Sequence, residues 1–215
     1  MENSKGLLQK KVAHTFSTTV VGYDNPNFAE MNQRIIQQLE TETYTPEPHQ
    51  PFQTVDNHLE LRKEYKELYD WFDIALEDYR RTFQYQCEKF KIILSWANKS
   101  DQYGSHRPHV HPNSFISGIY YLSENPSPTF FEDPRYQTRA GWFVSTNHPI
   151  NHNVWPCPSE TGSLVLFPSW APHYTEAYPF EGYRYTISFN AIPVGKTNQG
   201  SLVEINLSSN EHQTN

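Results

Sequence analysis

The sequence predicts a mainly β domain, a sandwich or barrel with its helices gathered near the N-terminus. Three observations carry that expectation. Aromatic residues make up 15% of the 215 while charged residues make up only 19%, a balance that suits half-buried pleated surfaces better than a helical bundle. The 16 prolines divide the chain into many short apolar runs. From Lys89 onward those runs are separated by turn chemistry at close spacing, and helical periodicity is confined to the residues before Cys87.

Lys11–Val21 is rich in β-branched residues and reads as a first strand. The turn Gly22-Tyr-Asp-Asn-Pro-Asn27 follows, then a helix over Phe28–Glu40 with Met31, Ile35, Ile36 and Leu39 on one face. Residues 41–56, with Pro46, Pro48 and Pro51, read as a loop. From Asn57 to about Cys87 the spacing of Leu61, Tyr65, Leu68, Phe72, Leu76 and Tyr79 fits a long amphipathic helix, in one piece or two. These helices are expected to cover one face of a sheet.

Strand character begins at Lys89–Asn98 and recurs at Val110–His111, Phe115–Leu122, Thr129–Glu132, Gly141–Ser145, Asn153–Cys157, Ser163–Phe167, His173–Tyr178 and Tyr183–Pro193. Pro126-Ser-Pro128, Asp133-Pro-Arg135, Asn147-His-Pro149 and Phe180-Glu-Gly182 are among the turns between them. The expected organisation is one domain over residues 1–195, with helical support over 25–87 and a barrel over 89–195. Residues 196–215 are a polar tail whose apolar pulse at Leu202–Leu207 suits an edge strand, and through it a homodimer.

Composition narrows the function. A net charge of −7 and a pI near 5.8 disfavour a dedicated nucleic-acid binder. The mean hydropathy is −0.75, and neither a membrane-length apolar run nor a signal-peptide core is present. A soluble cytoplasmic protein is expected. Cys87 and Cys157 are too few for a disulfide framework and should both be reduced.

The chemistry concentrates in Ser105-His-Arg-Pro-His-Val-His111, which packs three of the ten histidines into six residues. His109 and His111 are two apart, so an extended backbone sends both imidazoles off one face, where they can share a metal ion. His173 follows Phe167-Pro-Ser-Trp-Ala-Pro172 at the start of a later strand. Arg184 opens Arg184-Tyr-Thr-Ile-Ser-Phe-Asn190, whose alternation puts Arg184, Thr186, Ser188 and Asn190 on one face. A guanidinium inside a barrel without an anionic partner costs roughly 3–5 kcal/mol. A dicarboxylate resolves that cost, with one end on the metal and the other forked onto the guanidinium.

With those segments in view, the chain resembles the Fe(II)/2-oxoglutarate-dependent dioxygenases, in their prolyl-hydroxylase-like branch, and looks closest to a subfamily of oxygenases found in bacteria and phages. The resemblance rests on His109-Val-His111-Pro-Asn-Ser, Ser117-Gly-Ile-Tyr-Tyr-Leu122, Phe131-Glu-Asp-Pro-Arg135, the run from Gly162 to His173, and Arg184 to Asn190, in family order. It implies a double-stranded β-helix (a jelly roll, cupin-like) with N-terminal helices packed on the larger sheet. It also implies Fe(II) on His109, His111 and His173, and 2-oxoglutarate on Arg184 with Tyr121 and Ser188 as further contacts. O2 would be the oxidant and ascorbate an accessory reductant. The implied reaction decarboxylates 2-oxoglutarate to succinate as a C–H bond of a protein side chain or small molecule is hydroxylated. No side chain is needed as a general base, and the primary substrate does not follow.

One departure matters. The family's usual second position is an aspartate or glutamate, where this chain has His111. Three imidazoles leave Fe(II) its 2+ charge, which one carboxylate lowers to 1+. If His111 does not ligate, Asp133 or Asp101 could supply an oxygen, or water could fill the position. Two rival readings follow: a three-histidine cupin-like metalloprotein that does not use 2-oxoglutarate, and a non-catalytic binding module on the same fold. His14, His49, His58, His148, His152 and His212 read as surface or turn residues, and His106 as loop, with a supporting hydrogen-bond donor or a substrate contact as its alternative. Phe131–Arg135 reads as a structural turn, and Trp96, Trp142, Trp155 and Trp170 as core and rim packing.

Overall fold

The computed structural model describes residues 17–45, 51–124, 127–135, 153–197, 200 and 205–207. The strand expected at Gly141–Ser145, the turn at Asn147–Pro149 and the first half of the strand at Lys11–Val21 lie outside them. So do Trp142, His14, His49, His148, His152, His212 and most of the tail after Thr197.

The chain opens with β1 (Val21–Asp24), helix α1 (Phe28–Leu39) and the short strands β2 (Tyr44–Thr45) and β3 (Phe52–Thr54). Two 3-10 turns, Leu59–Leu61 and Lys63–Tyr65, lead into helix α2 (Lys66–Thr82). Strands then follow as β4 (Lys89–Ser100), β5 (His106–His109), β6 (Ile116–Tyr121), β7 (Thr129–Glu132), β8 (Val154–Cys157), β9 (Ser163–Pro168), β10 (His173–Thr175), β11 (Arg184–Thr197) and β12 (Ile205–Leu207). They form two sheets. The larger runs β1-β9-β6-β11-β4-β3-β2 with β12 also paired to β11, and the smaller runs β5-β10-β7-β8. This is the expected jelly roll, with the edge strand expected near Leu202–Leu207 found at Ile205–Leu207.

Four expectations need correction. Among the described residues the first strand is Val21–Asp24, so the chain is still extended where a turn was expected. The 41–56 loop contains β2 and β3, which are held because β3 pairs with β4 and Thr54 Oγ1 accepts a hydrogen bond from the Ala97 N–H at 3.1 Å. The long helix begins only at Lys66 and stops at Thr82. Its end is a Schellman turn: Gln84 takes φ +53, its N–H donates to Arg81 O, and the Tyr85 N–H donates to Arg80 O. That turn normally announces itself with glycine; here glutamine fills the position. The strand expected at Val110–His111 is instead His106–His109.

The helices sit where the amphipathic pattern requires. Leu68, Tyr69, Phe72, Ala75, Leu76 and Tyr79 bury one face of α2, at roughly 1.5–3 kcal/mol for each large side chain. Phe72 is the centre of this layer, with Tyr120 at 5.5 Å and Phe189 at 5.0 Å between ring centroids. Gly118 lies under Phe189, where a Cβ would collide with the ring. A second, smaller core of Ile119, Tyr121, Phe131, Val165 and Phe167 lies between the sheets. β11 serves both regions. Tyr185, Ile187, Phe189 and Ala191 belong to the helix-covered core, while Arg184, Thr186 and Ser188 line a cavity between the sheets. Cys87 and Cys157 are both free thiols, as expected. Among the described residues, no helix is long and apolar enough to cross a membrane.

Candidate active site

The three expected histidines come together. His109 ends β5 and His173 begins β10, and the two are direct cross-strand partners with ring centroids 4.3 Å apart. His111 lies beyond the strand, so it does not share a strand face with His109. The turn that follows delivers it: the His111 N–H donates to Ser169 O at 2.9 Å, and the Ser114 hydroxyl donates to His111 O at 3.0 Å. Asn113 takes φ +61 in that turn, the left-handed region that asparagine tolerates better than most residues. His111 Nε2 then lies 3.2 Å from His173 Nε2, and one ligand atom from each of the three lies within 4.8 Å of the others. Val110 points away and is exposed.

Hydrogen bonds set the tautomers. His109 Nδ1 faces Arg107 O at 2.8 Å and His173 Nδ1 faces Ala171 O at 3.0 Å. A carbonyl only accepts, so each Nδ1 carries the proton and each Nε2 keeps its lone pair, the state a metal ligand requires. Burial, followed by the neighbouring imidazoles, pushes His173 down to about 3 and His111 down to about 4. Both are therefore neutral at physiological pH. Phe167 packs on His173 at 4.8 Å and Trp96 on His111 at 5.7 Å between centroids.

Arg184 lines the same cavity, whose volume is about 250 Å³. It is only 3% exposed. Its Nη1 donates to Ser127 O at 3.1 Å, its Nη2 reaches Ser100 Oγ at 3.5 Å, and its Nε has no partner. Among the described residues no aspartate or glutamate lines the cavity, so burial holds the guanidinium below its ordinary pKa, with Tyr121 and Tyr178 partly offsetting. Ser188 pairs with Trp96, and Arg184 with Ser100 four residues further along β4. Arg184 and Ser188 thus lie on the same side of β11 as Thr186, facing the cavity that His109 and His173 line from the other sheet.

Tyr121 is buried in the cavity wall with its hydroxyl 2.7 Å from Thr129 Oγ1. Ser188 Oγ accepts from Asn98 Nδ2 at 3.2 Å, and the same amide reaches Thr186 Oγ1 at 3.3 Å. Neither Asp101 nor Asp133 lines the cavity, and Asp133 pairs with Arg135 at 3.0 Å. That pair fits the turn reading of Phe131–Arg135. His58 is an exposed partner of Glu60, as a surface residue should be. His106 overturns the loop reading: it is a strand residue whose side chain lines the cavity. Asn98 and Trp96 were also missed as wall residues; the alternation along β4 was their one visible signal.

Residues 94–190 match the family described as "Putative 2OG-Fe(II) oxygenase". No curated protein matches the chain. Among solved structures, the chain is similar to HygX from Streptomyces hygroscopicus with nickel, 2-oxoglutarate and hygromycin B bound, at 11% identity and a TM-score of 0.57, covering 82% of this chain and 83% of that one. It is similar to a Pseudomonas putida prolyl-4-hydroxylase at 12% identity and a TM-score of 0.56, covering 83% and 95%. The non-heme alpha-ketoglutarate-dependent epimerase SnoN from nogalamycin biosynthesis matches at 9% identity and a TM-score of 0.64, covering 90% of each chain. At these identities the likeness is one of fold.

Proposed function

We propose that this chain, whose residues 94–190 match a 2OG-Fe(II) oxygenase family, binds Fe(II) through His109, His111 and His173 and 2-oxoglutarate through Arg184. Its reaction is then the hydroxylation, with O2, of a protein side chain or small molecule. The observation that carries this reading is a single cavity holding two complementary features: three imidazoles whose ligand atoms lie within 4.8 Å of one another, and a buried guanidinium with an unpartnered Nε. A dicarboxylate satisfies the second while reaching the first.

When bound, Fe(II) with 2-oxoglutarate supplies the oxygen chemistry, in which decarboxylation to succinate is coupled to oxidation of a C–H bond. The chain's own residues bind, orient and exclude water. His109 and His173 present Nε2 because their Nδ1 protons are committed to backbone carbonyls. Arg184 anchors the far carboxylate, and Tyr121 and Ser188 lie on the same wall with hydroxyls to add. Phe167 and Phe131 close the space behind His173, keeping the site's dielectric low and its electrostatic contacts strong.

The test is Fe(II)-dependent formation of succinate from 2-oxoglutarate, abolished in His173→Ala and strongly reduced in Arg184→Ala. Normal turnover in both variants sinks the proposal. The three-imidazole donor set favours one rival, a cupin-like metalloprotein that does not use 2-oxoglutarate. Calorimetry on Ni(II)-loaded protein separates them, since only the oxygenase takes up 2-oxoglutarate.

A further inference from the structure

Four histidines face the cavity, and the fourth is His106. It opens β5 opposite Thr175, whose hydroxyl accepts its backbone N–H at 3.0 Å. Its half-buried ring lies 5.7 Å from that of His109 between centroids, yet it is not part of the three-histidine cluster. It lines the same cavity as the cluster and Arg184. Unlike the rings of His109 and His173, its ring nitrogens have no hydrogen-bond partner among the described residues. The ring therefore offers the cavity one N–H donor and one acceptor to whatever fills it.

We propose that His106 is a contact residue for the co-substrate, donating a ring N–H to a carboxylate oxygen of the dicarboxylate that spans from the histidine cluster to Arg184. The assignment rests on the functional reading above and adds a residue to it. Three features of the site fit. His106 lies on the smaller sheet, across the cavity from the β11 row of Arg184, Thr186 and Ser188, so a ligand between them is held from both walls. The cavity wall holds no acid among the described residues to compete for the imidazole N–H. Its backbone is fixed by strand pairing, which sets where the side chain enters the cavity.

The test uses calorimetry on Ni(II)-loaded protein with 2-oxoglutarate as titrant, alongside Ni(II) titration of the metal-free protein. H106F keeps the ring shape and removes the donor. It should bind 2-oxoglutarate about tenfold more weakly or worse while Ni(II) affinity changes by less than about twofold, as expected for loss of one hydrogen bond to a charged group. H106Q restores a donor and should recover most of the loss. If thermal melting shows H106F misfolded, H106A takes its place with the same expectation. Wild-type 2-oxoglutarate affinity in the donor-free variant overturns the assignment, and so does a parallel loss of Ni(II) affinity, which would place His106 in support of the metal ligands instead. Failure of the wild-type holoprotein to bind 2-oxoglutarate overturns the functional reading itself, and this contact with it.

Discussion

Replacing Arg184 with methionine should separate folding from function, because in the ligand-free protein the guanidinium is a burden. It is 3% exposed and, among the described residues, has no acid in its cavity. Burial holds its pKa down, so folding works against its charge. Methionine removes that charge and fills much of the space with a flexible apolar chain. Relief of an uncompensated buried charge is worth several kcal/mol. Against it stand the Ser127 carbonyl, bonded at 3.1 Å, and the Ser100 hydroxyl, at 3.5 Å. The first costs about 1–3 kcal/mol when orphaned, and the second is at the limit of a hydrogen bond and costs little. The net change in the metal-free protein therefore lies near zero and leans stabilising, by about 0–2 kcal/mol, or a rise in Tm of up to about 8 °C. Ligand binding moves the other way. Two charge-assisted hydrogen bonds at about 1.5 kcal/mol each amount to about 3 kcal/mol, which is more than 100-fold in the Kd for 2-oxoglutarate. Thermal melting of the metal-free protein and calorimetry on the Ni(II)-loaded protein read the two effects. A fall in Tm of more than about 5 °C together with an unchanged 2-oxoglutarate Kd would refute the reasoning.

Three further outcomes are expected. His173 and His111 are held down to about 3 and about 4 in the folded protein, whereas unfolded imidazoles titrate near 6.5. Between those values the unfolded state binds more protons, so stability of the metal-free protein rises with pH through that window and is lost on acidification, by up to about 1.4 kcal/mol per pH unit for each histidine. Urea midpoints at pH 5 and pH 7 should show this, with a smaller difference in His173→Asn; parallel behaviour of the two proteins would contradict it. Gly118→Ala should cost about 1–3 kcal/mol in thermal melting, because the added methyl collides with the buried Phe189 ring. Gly22→Ala, with nothing within 4 Å of its Cβ, should stay within about 0.5 kcal/mol of wild type. His111→Asp lowers the metal site's charge from 2+ to 1+ and should weaken 2-oxoglutarate binding about tenfold or more; equal or tighter binding by a variant that still takes Ni(II) would show that His111's neutrality is not what favours the dianion.

The jelly roll and most of its strands were legible because their signals are local. Thr129–Glu132 is β7 residue for residue, and Ser163–Phe167 falls one residue short of β9. The misplaced strand shows where local signals end. Pro108 argues against β structure, but β5 is an edge of the smaller sheet, where a missing N–H is tolerated. Its pairing is supplied by β10, where His109 meets His173 from far along the chain, which no local pattern reveals. β2 and β3 escaped for the same reason. Of the site's wall, the Thr186–Ser188 row was legible from the alternation along β11, but Asn98, set between Ala97 and Lys99, was not: it is buried because the inside of this barrel is polar. Period shows which residues share a face, not which of two faces meets water.

That polar interior bears on how the site is kept in register. The same fourteen-residue strand, β11, carries Tyr185, Ile187 and Phe189 into the helix-covered core and Arg184, Thr186 and Ser188 into the cavity. A slip of one residue would put Arg184 under the helices and an aromatic ring into the site, so the apolar packing around Phe72 and Phe189 fixes where the guanidinium sits. The histidines are positioned independently, by the smaller sheet and by the turn whose Ser169 O receives the His111 N–H. A ligand spanning from imidazoles to guanidinium thus joins two sheets that are otherwise held mainly by the small core of Phe131, Val165 and Phe167. Binding there stabilises the folded chain by linkage, and it acts across the sheet-to-sheet contact rather than within either sheet.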